Sequence, residues 1–247
     1  MRETWKNMKK HTLYPVFRLL VGALLLGLAL FVLSGCGDKE PEQRKAFNVF
    51  LDKNILSRKG VGLPELSRQE RKIFGDYVAH YDVLAVFQTA MAKEAGKNAR
   101  ELLALAEFSD LASLADAERS LRKAAKEAEG LRKSVTALKK KTDAAREKLS
   151  LPEDLAPAYN AAYDKIVTQP ATASSSAFAA VNEAFAAILD LLDFVNANNR
   201  DMDIDGKNIN LRNPGLKDAL QTKLTTVNEK TLLLRTAYED MTRTMLH

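Results

Sequence analysis

An apolar heptad repeat between residues 111 and 149 is the strongest constraint on how this chain can fold. Two series of mostly apolar residues recur every seven positions, and Lys, Arg and Glu fill most of the positions between them. The first series is Leu114, Leu121, Ala128, Val135, Thr142 and Leu149, and the second is Ala117, Ala124, Leu131, Leu138 and Ala145. A helix over this range would be about 58 Å long. Its apolar seam needs a partner helix, either from the same chain or from another, and the alanines favour close antiparallel packing.

The rest of the chain after residue 40 also has helical periodicity. Leu and Ala are abundant, while the whole sequence holds only 11 Gly and 7 Pro, which favours helices over sheets. The pattern predicts five further helices. The first covers 41–56, the second begins at a capping box at Ser67, and the third begins at a second capping box at Ser150. The fourth has about 22 residues and ends near Val195, and the fifth begins at Pro214. We expect breaks at 59–64, 151–152, 168–176 and 196–214. The predicted fold is all-α: an elongated helical bundle with a long antiparallel coiled-coil-like hairpin and a small β-hairpin insertion.

Three aspartates between the last two helices resemble the start of a calcium-binding loop. Asp201, Asp203 and Asp205 alternate along the chain and Gly206 follows them, as in an EF-hand. The twelfth position, however, is Arg212, where the bidentate glutamate should be. The same residues fit a β-hairpin over 202–211 with Asp205-Gly206 as its turn. We expect the hairpin, and we keep the three aspartates as a weak metal candidate.

The N-terminal residues have the pattern of a secretory signal. Five basic residues and the single acid Glu3 precede an uninterrupted run of apolar residues and glycine over 19–33. The run would reach roughly 22 Å as a helix, which is shorter than the ~30 Å hydrocarbon core of a bilayer. A cleaved signal therefore fits better than the alternative of an uncleaved membrane anchor.

The only cysteine, Cys36, lies directly after this run, in the stretch LSGCGDKE. A single thiol cannot close an intramolecular disulfide or build a cysteine-rich zinc site, and a nucleophilic cysteine would need a nearby base. Leu33-Ser34-Gly35-Cys36 resembles a lipobox, the signal of bacterial lipoproteins. The resemblance implies cleavage between Gly35 and Cys36 and lipidation of the cysteine.

Removal of the signal changes the charge balance. The whole chain has 37 basic and 32 acidic residues, whereas the chain after residue 35 has 32 and 31, and the only tryptophan, Trp5, is also lost. We therefore expect no nucleic-acid partner.

Few sequence patterns in the rest of the chain indicate catalysis or the binding of a metal or phosphate. No glycine-rich phosphate loop, metal-spaced His/Cys set or nucleophile elbow is present. His80 lies beside Tyr77 and Tyr81 on a helix face rich in aromatic residues, and we interpret it as a structural histidine rather than a proton-transfer group. The face itself, from Phe74 to Phe87, could pack in the core or line a cleft.

The residues around Cys36 also suggest a family. Several short strings resemble the YiaF-type lipoproteins of Gram-negative bacteria, a family of unknown function. They are Cys36-x-Asp38-Lys39-Glu40, QRKAF over 43–47, Phe50-Leu51, Leu63-Pro64, Phe74-Gly75 and Lys165-Ile166-Val167-Thr168-x-Pro170. The similarity is good over about residues 33–90 and weaker beyond. It implies a periplasmic lipoprotein and assigns no active site. Together with the signal pattern, we expect a signal peptide over 1–35, an acylated tether over 36–41 and a periplasmic helical domain over 42–247.

In such lipoproteins an Asp directly after the acylated cysteine usually retains the protein at the inner membrane. Here Gly37 occupies that position, so we expect attachment to the periplasmic face of the outer membrane, with the inner membrane as the alternative. Diacylglyceryl and N-acyl groups would hold the chain there.

We expect a non-enzymatic envelope lipoprotein without a cofactor. It would have a structural or protein-interaction role, with an envelope partner or self-association through the heptad helix. The alternative is a binding module or hydrolase with an inter-helical cleft for a lipid or a cell-wall fragment.

Overall fold

The computed structural model describes residues 39–95, 111–205 and 208–246. The chain divides into two compact units, residues 1–43 and 44–247. Of the first unit only residues 39–43 are described, and there the Gln43 amide donates a hydrogen bond to the Lys39 carbonyl (3.0 Å) as the first helix begins. The following paragraphs concern the second unit, together with the start of that helix.

The described residues are mostly helical, with one small pair of strands. The α-helices are α1 (Glu40–Leu51), α2 (Arg68–Phe74), α3 (Val78–Ala95), α4 (Leu111–Arg146), α5 (Ala156–Tyr163), α6 (Gln169–Ala197) and α7 (Lys217–Leu246). The strands are β1 (Met202–Asp205) and β2 (Asn208–Leu211). Short helical turns of other types extend α1 over Asp52–Leu56, join α2 to α3 over Gly75–Tyr77, join α5 to α6 over Asp164–Thr168, and lead into α7 over Pro214–Leu216. The all-α prediction with a β-hairpin is confirmed.

The apolar seam of α4 is buried inside the chain. Among the described seam residues, the fully buried ones are Leu121, Ala124, Ala128, Leu131, Val135 and Thr142. The side chains of Leu114 and Ala117 lie outside the described residues. The seam packs on α6 and α3, so the partner helices come from the same chain. The one polar seam residue is satisfied, since the Thr142 hydroxyl donates to the Leu138 carbonyl at 2.9 Å.

Polar contacts along the long helices show that neighbours run antiparallel. On α4 and α6, Arg122 pairs with Asp193 at 2.9 Å, and seven residues later on α4 Glu129 accepts from Asn182 at 3.2 Å. The residue number rises along one helix as it falls along the other. The same order relates α6 to α7, where Lys223 pairs with Asp190 and Lys230 with Glu183. These pairs are half exposed, so they fix orientation more than they stabilise.

The two predicted capping boxes have different outcomes. The box at Ser67 is confirmed: its side chain accepts from the Glu70 amide, and the Glu70 carboxylate accepts from the Ser67 amide at 2.8 Å. The box at Ser150 is wrong, because α5 begins only at Ala156 and has no side-chain cap. The Ser150 carbonyl instead contacts the His80 ring at 2.9 Å, a tertiary contact that local sequence does not encode.

The predicted break over 168–176 is also wrong. Helix α6 runs without interruption from Gln169 through Pro170 and the serines to Ala197. Pro170 is tolerated because it occupies the first turn, directly after the wider turn over Asp164–Thr168. Ser174 is completely buried on the core-facing side of the helix.

The predicted hairpin is confirmed, with a turn one residue later than expected. β1 and β2 are antiparallel, with Met202 opposite Leu211 and Asp205 opposite Asn208. Asp205 therefore belongs to the strand, and the two residues between the strands lie outside the described residues. Met202 is buried against α6 and α7, in a small cluster with Leu191, Val195 and Leu220. The hairpin thus closes the end of the α6–α7 pair.

Aromatic side chains from α1 to α3 and α5 contact one another in the core. Phe47 contacts Phe74 and Tyr77 with ring centroids 5.4 and 5.9 Å apart, and Phe50 contacts Tyr81 at 5.9 Å. The apolar face of the first helix therefore packs in the core. Within the described ranges, no helix is long and apolar enough to cross a membrane.

The alanine seam predicts a sharp difference between two Ala→Leu substitutions on α4. Ala128 is completely buried at the interface with neighbouring helices, and Ala144 is exposed on the same helix. Ala128→Leu should lower the free energy of unfolding by about 1–3 kcal/mol through overpacking. Ala144→Leu should change it by less than about 0.5 kcal/mol. Urea denaturation of the full chain measures both, and equal effects would contradict the buried seam.

Candidate functional site

The residues predicted around the lipidation site are not part of the described structure. Gly35, Cys36 and Gly37 lie outside the described residues, so their roles stay predictions.

The three aspartates of the metal candidate are distributed along the β-hairpin. Asp203 is exposed on β1, and the Asp201 carbonyl accepts from the Arg212 amide at 2.8 Å, which closes the base of the hairpin. The side chain of Asp205 lies outside the described residues. Within the described ranges no group of three or more His, Cys, Asp or Glu side chains could hold a metal ion.

The aromatic face of α2 and α3 is core rather than cleft over most of its length. Phe74, Tyr77 and Tyr81 are 3 to 5% exposed. The Tyr81 hydroxyl donates a hydrogen bond to the Pro64 carbonyl. These three side chains therefore pack in the core, and Phe87, at the far end of the face, lines a cavity.

His80 is a buried, neutral histidine. Its ring lies 5.1 Å from Tyr77 and 5.3 Å from Tyr159, and its Nε2 donates to the Ser150 carbonyl at 2.9 Å in the tautomer that this contact requires. Nδ1 is buried and has no hydrogen-bond partner among the described residues. Burial lowers the pKa of His80, and the hydrogen bond to Ser150 opposes this only in part.

A second cluster of polar side chains joins α4 to α5, and its contacts have a structural role. The Tyr163 hydroxyl donates to Asp143 at 2.7 Å, Lys139 Nζ lies 2.8 Å from the same carboxylate, and the Arg146 guanidinium lies 4.4 Å above the Tyr163 ring. Burial alone would raise the pKa of Asp143, but the hydrogen bonds from Lys139 and Tyr163 outweigh it and hold the pKa below its usual value. Burial also raises the pKa of Tyr163. At neutral pH the acid stays ionised and the phenol stays protonated, which suits a fixed hydrogen bond.

The candidate ligand site is an apolar cavity of about 390 Å³ between three helices. Its walls come from α3, from the start of α6 with the preceding turn, and from the end of α7. The apolar side chains that form most of the surface are Phe87, Met91, Ile166, Pro170, Met241 and Met245. This volume is within the range of small-molecule sites, which are typically about 300–1,000 Å³.

The loop after α1 forms one end of the cavity through Val61. Gln88 on α3 holds this loop twice, because its side-chain amide donates to the Val61 carbonyl and its side-chain oxygen accepts from the Leu63 amide at 3.2 Å. The Val61 amide in turn donates to the Met245 carbonyl at 3.4 Å. Gly60 precedes this contact with φ +71°, and a Cβ there would lie 3.2 Å from the Met245 carbonyl oxygen. The backbone of the loop therefore approaches the end of α7 closely.

Lys165 fixes the same loop from the other side. Its ammonium group donates to the carbonyls of Ile55 (2.9 Å) and Arg58, where the first helix ends. Lys165 belongs to the KIVTQP segment that carried part of the family resemblance. Sequence analysis predicted no function for this segment. It nevertheless supplies Lys165, which binds the carbonyls at the end of the first helix, and two residues of the cavity wall, Ile166 and Pro170.

The fold and this cavity define a small, mostly helical protein with an apolar inter-helical cavity. The chain belongs to the family described as "Protein of unknown function (DUF3053)", which matches residues 23–242. It is 32% identical over 157 residues to the uncharacterized protein YiaF of Escherichia coli strain K12 and to that of Shigella flexneri. Each alignment covers 62% of this chain and 64% of the relative, which is less than two thirds of the relative's length. The predicted family is therefore confirmed. No solved structure matches this chain.

The lowered pKa of His80 predicts that acid weakens the fold before the carboxylates titrate. The unfolded chain takes up a proton near the usual histidine pKa of about 6.5, whereas the folded chain resists it, so stability is lost as the pH falls below that value. The loss should be at most about 1.4 kcal/mol per pH unit. We expect the free energy of unfolding to fall between pH 7.5 and 5.5 in the wild type, and to fall less in His80→Gln.

Urea denaturation at the two pH values measures this effect. The difference in pH dependence between the wild type and His80→Gln gives the contribution of His80. Glutamine can still donate to the Ser150 carbonyl, and His11 and His247 are unchanged in the variant. An equal pH dependence in both chains would show that His80 is not protected from protonation by the fold.

Proposed function

We propose that this protein is a lipid-anchored lipoprotein of the cell envelope, attached to the periplasmic face of the outer membrane, with a non-enzymatic structural or protein-interaction role. The observation that carries the proposal is the stretch Leu33-Ser34-Gly35-Cys36 at the end of the apolar run over 19–33. Small residues directly before a cysteine suit signal cleavage at that position. The basic residues before the run complete the pattern of a secretory signal.

Lipidation would turn the lone cysteine into the anchor. Cleavage between Gly35 and Cys36 frees an amino group that takes an acyl chain, while the sulfur takes a diacylglyceryl group. One acyl chain gives only reversible membrane binding, and additional chains make the attachment stable. The thiol would then be unavailable for redox, metal or nucleophilic chemistry.

Gly37 supports the outer membrane as the destination. Aspartate directly after the lipidated cysteine is the usual inner-membrane signal in Gram-negative bacteria, and in this chain Asp38 follows one position later.

The non-enzymatic role is supported by how the described chemistry-bearing side chains are used. Asp143 is engaged by Lys139 and Tyr163, and His80 is enclosed by aromatic rings and the Ser150 carbonyl. Asp143 thus joins α4 to α5, and His80 joins α3 to the segment after α4. The nearly balanced charge of the chain after residue 35 supports a partner other than nucleic acid.

A labelling and fractionation experiment tests the anchor and its destination separately. Cells that produce the full chain are grown with alkyne-tagged palmitic acid, and their membranes are separated on a sucrose gradient. The wild type should carry the label and sediment with the outer membrane, and Cys36→Ser should carry none. Gly37→Asp should carry the label and move to the inner membrane, whereas the control Gly37→Ser should stay in the outer membrane.

Two results would contradict the proposal. An unlabelled wild type would rule out lipidation at Cys36. A labelled wild type found only in the inner-membrane fraction would leave the anchor but overturn the destination.

A further inference from the structure

We propose that the cavity between α3, α6 and α7 binds the aliphatic chain of a single-chain amphiphile, such as a fatty acid or a lysolipid. Neither the family description nor the relatives' names assign a ligand. The inference goes beyond the proposed function and uses the proposed membrane anchor only as the reason why such ligands would be close by.

The chemistry of the cavity surface selects the ligand class. No charged side chain is among the described residues that line it, and its polar groups are limited to Gln88, Ser174, Tyr238 and Thr242. Gln88 is already occupied by the backbone of the loop after α1. A charged metabolite would lose its hydration in this cavity and would find no countercharge there. An aliphatic chain has no such hydration to lose, and its binding removes apolar surface from water.

Three methionines make the surface adaptable. Met91 is buried on α3, while Met241 and Met245 are half exposed on α7, on the opposite wall. Methionine side chains are unbranched and flexible, so they can adjust to chains of different length. Such a surface suits a class of aliphatic molecules more than one rigid ligand.

The buried hydroxyl of Ser174 adds no accessible polar surface to the cavity. Ser174 is 0% exposed and lines the cavity, and its Oγ has no hydrogen-bond partner among the described residues. Because the head group of an amphiphile would lose its hydration in a cavity without a countercharge, the head group would stay at the open end and the aliphatic chain would occupy the interior.

The proposed anchor would hold the domain where such molecules are abundant. Lys39, the first described residue, is three residues after Cys36, so it would lie within roughly 11 Å of the lipidated cysteine even in a fully extended chain.

Photolabelling with a fatty acid tests the proposal in the full chain. Isolated membranes that contain the protein are incubated with palmitic acid carrying a diazirine and an alkyne, irradiated, and digested with trypsin. Because the probe is added after protein synthesis, label attached at Cys36 would not depend on irradiation. We expect irradiation-dependent label on the peptide of residues 236–243, which carries Tyr238, Met241 and Thr242.

Two matched variants connect the label to the cavity. Ala92 lines the cavity and is exposed at its mouth, and Ala79 is exposed on the same helix, away from the cavity lining. Ala92→Trp should reduce labelling of the 236–243 peptide about tenfold, because the indole fills the apolar space. Ala79→Trp should leave it unchanged. Neither substitution alters the peptide that is measured.

A second variant covers the case in which Ala92→Trp does not accumulate. Thr242→Trp fills the cavity from α7, and the label is then measured on the peptide of residues 73–93, which carries Phe87 and Met91. Absence of irradiation-dependent label on both wild-type peptides would overturn the proposal. Equal labelling of Ala92→Trp and Ala79→Trp would also overturn it. Neither outcome bears on lipidation of Cys36, which is measured separately.

Discussion

The burial of the α4 seam inside the chain is the constraint on which the rest of the structure depends. Its small side chains, Ala124 and Ala128, let the neighbouring helices approach closely, while Leu121, Leu131 and Val135 fill the space between them. Because the seam is covered by α3 and α6, both helices are fixed against α4. Helix α7 then packs on α6 and brings its end beside α3, where the cavity lies between them.

Sequence patterns predicted the parts of this fold that depend on local chemistry. The heptad repeat predicted α4 almost to its ends, and the Ser67–Glu70 capping box predicted the start of α2, since both signals act within a few residues. The Ser150 box was wrong, since α5 begins only at Ala156, and the contact of the Ser150 carbonyl with the distant His80 is not encoded by the local sequence. Pro170 failed as a break because the wider turn before it places the proline in the first turn of α6.

The cavity could not be predicted in the same way. Its walls come from residues near 90, 170 and 240, and none of these segments has a pattern that distinguishes a cavity wall from an ordinary core face. Ser174 illustrates the difficulty: in the sequence it belongs to a serine cluster that resembles a loop, and in the structure it is an unpartnered hydroxyl on the cavity wall. The residues of the proposed lipidation motif are contiguous, so a sequence pattern is enough to suggest it, and lipidation at Cys36 stays a prediction.

The most direct test of the account is whether the seam of α4 is closed within one chain. Glu129 and Asn182 form a side-chain contact of 3.2 Å between α4 and α6, next to the seam. Replacing both by cysteine in a Cys36→Ser chain, and treating lysates of the cells that produce it with a short bifunctional maleimide, measures which chains are joined. The account predicts a cross-link within the monomer, with the two single-cysteine chains as controls. Covalent dimers as the main product would show that the seam pairs between chains and would contradict the account.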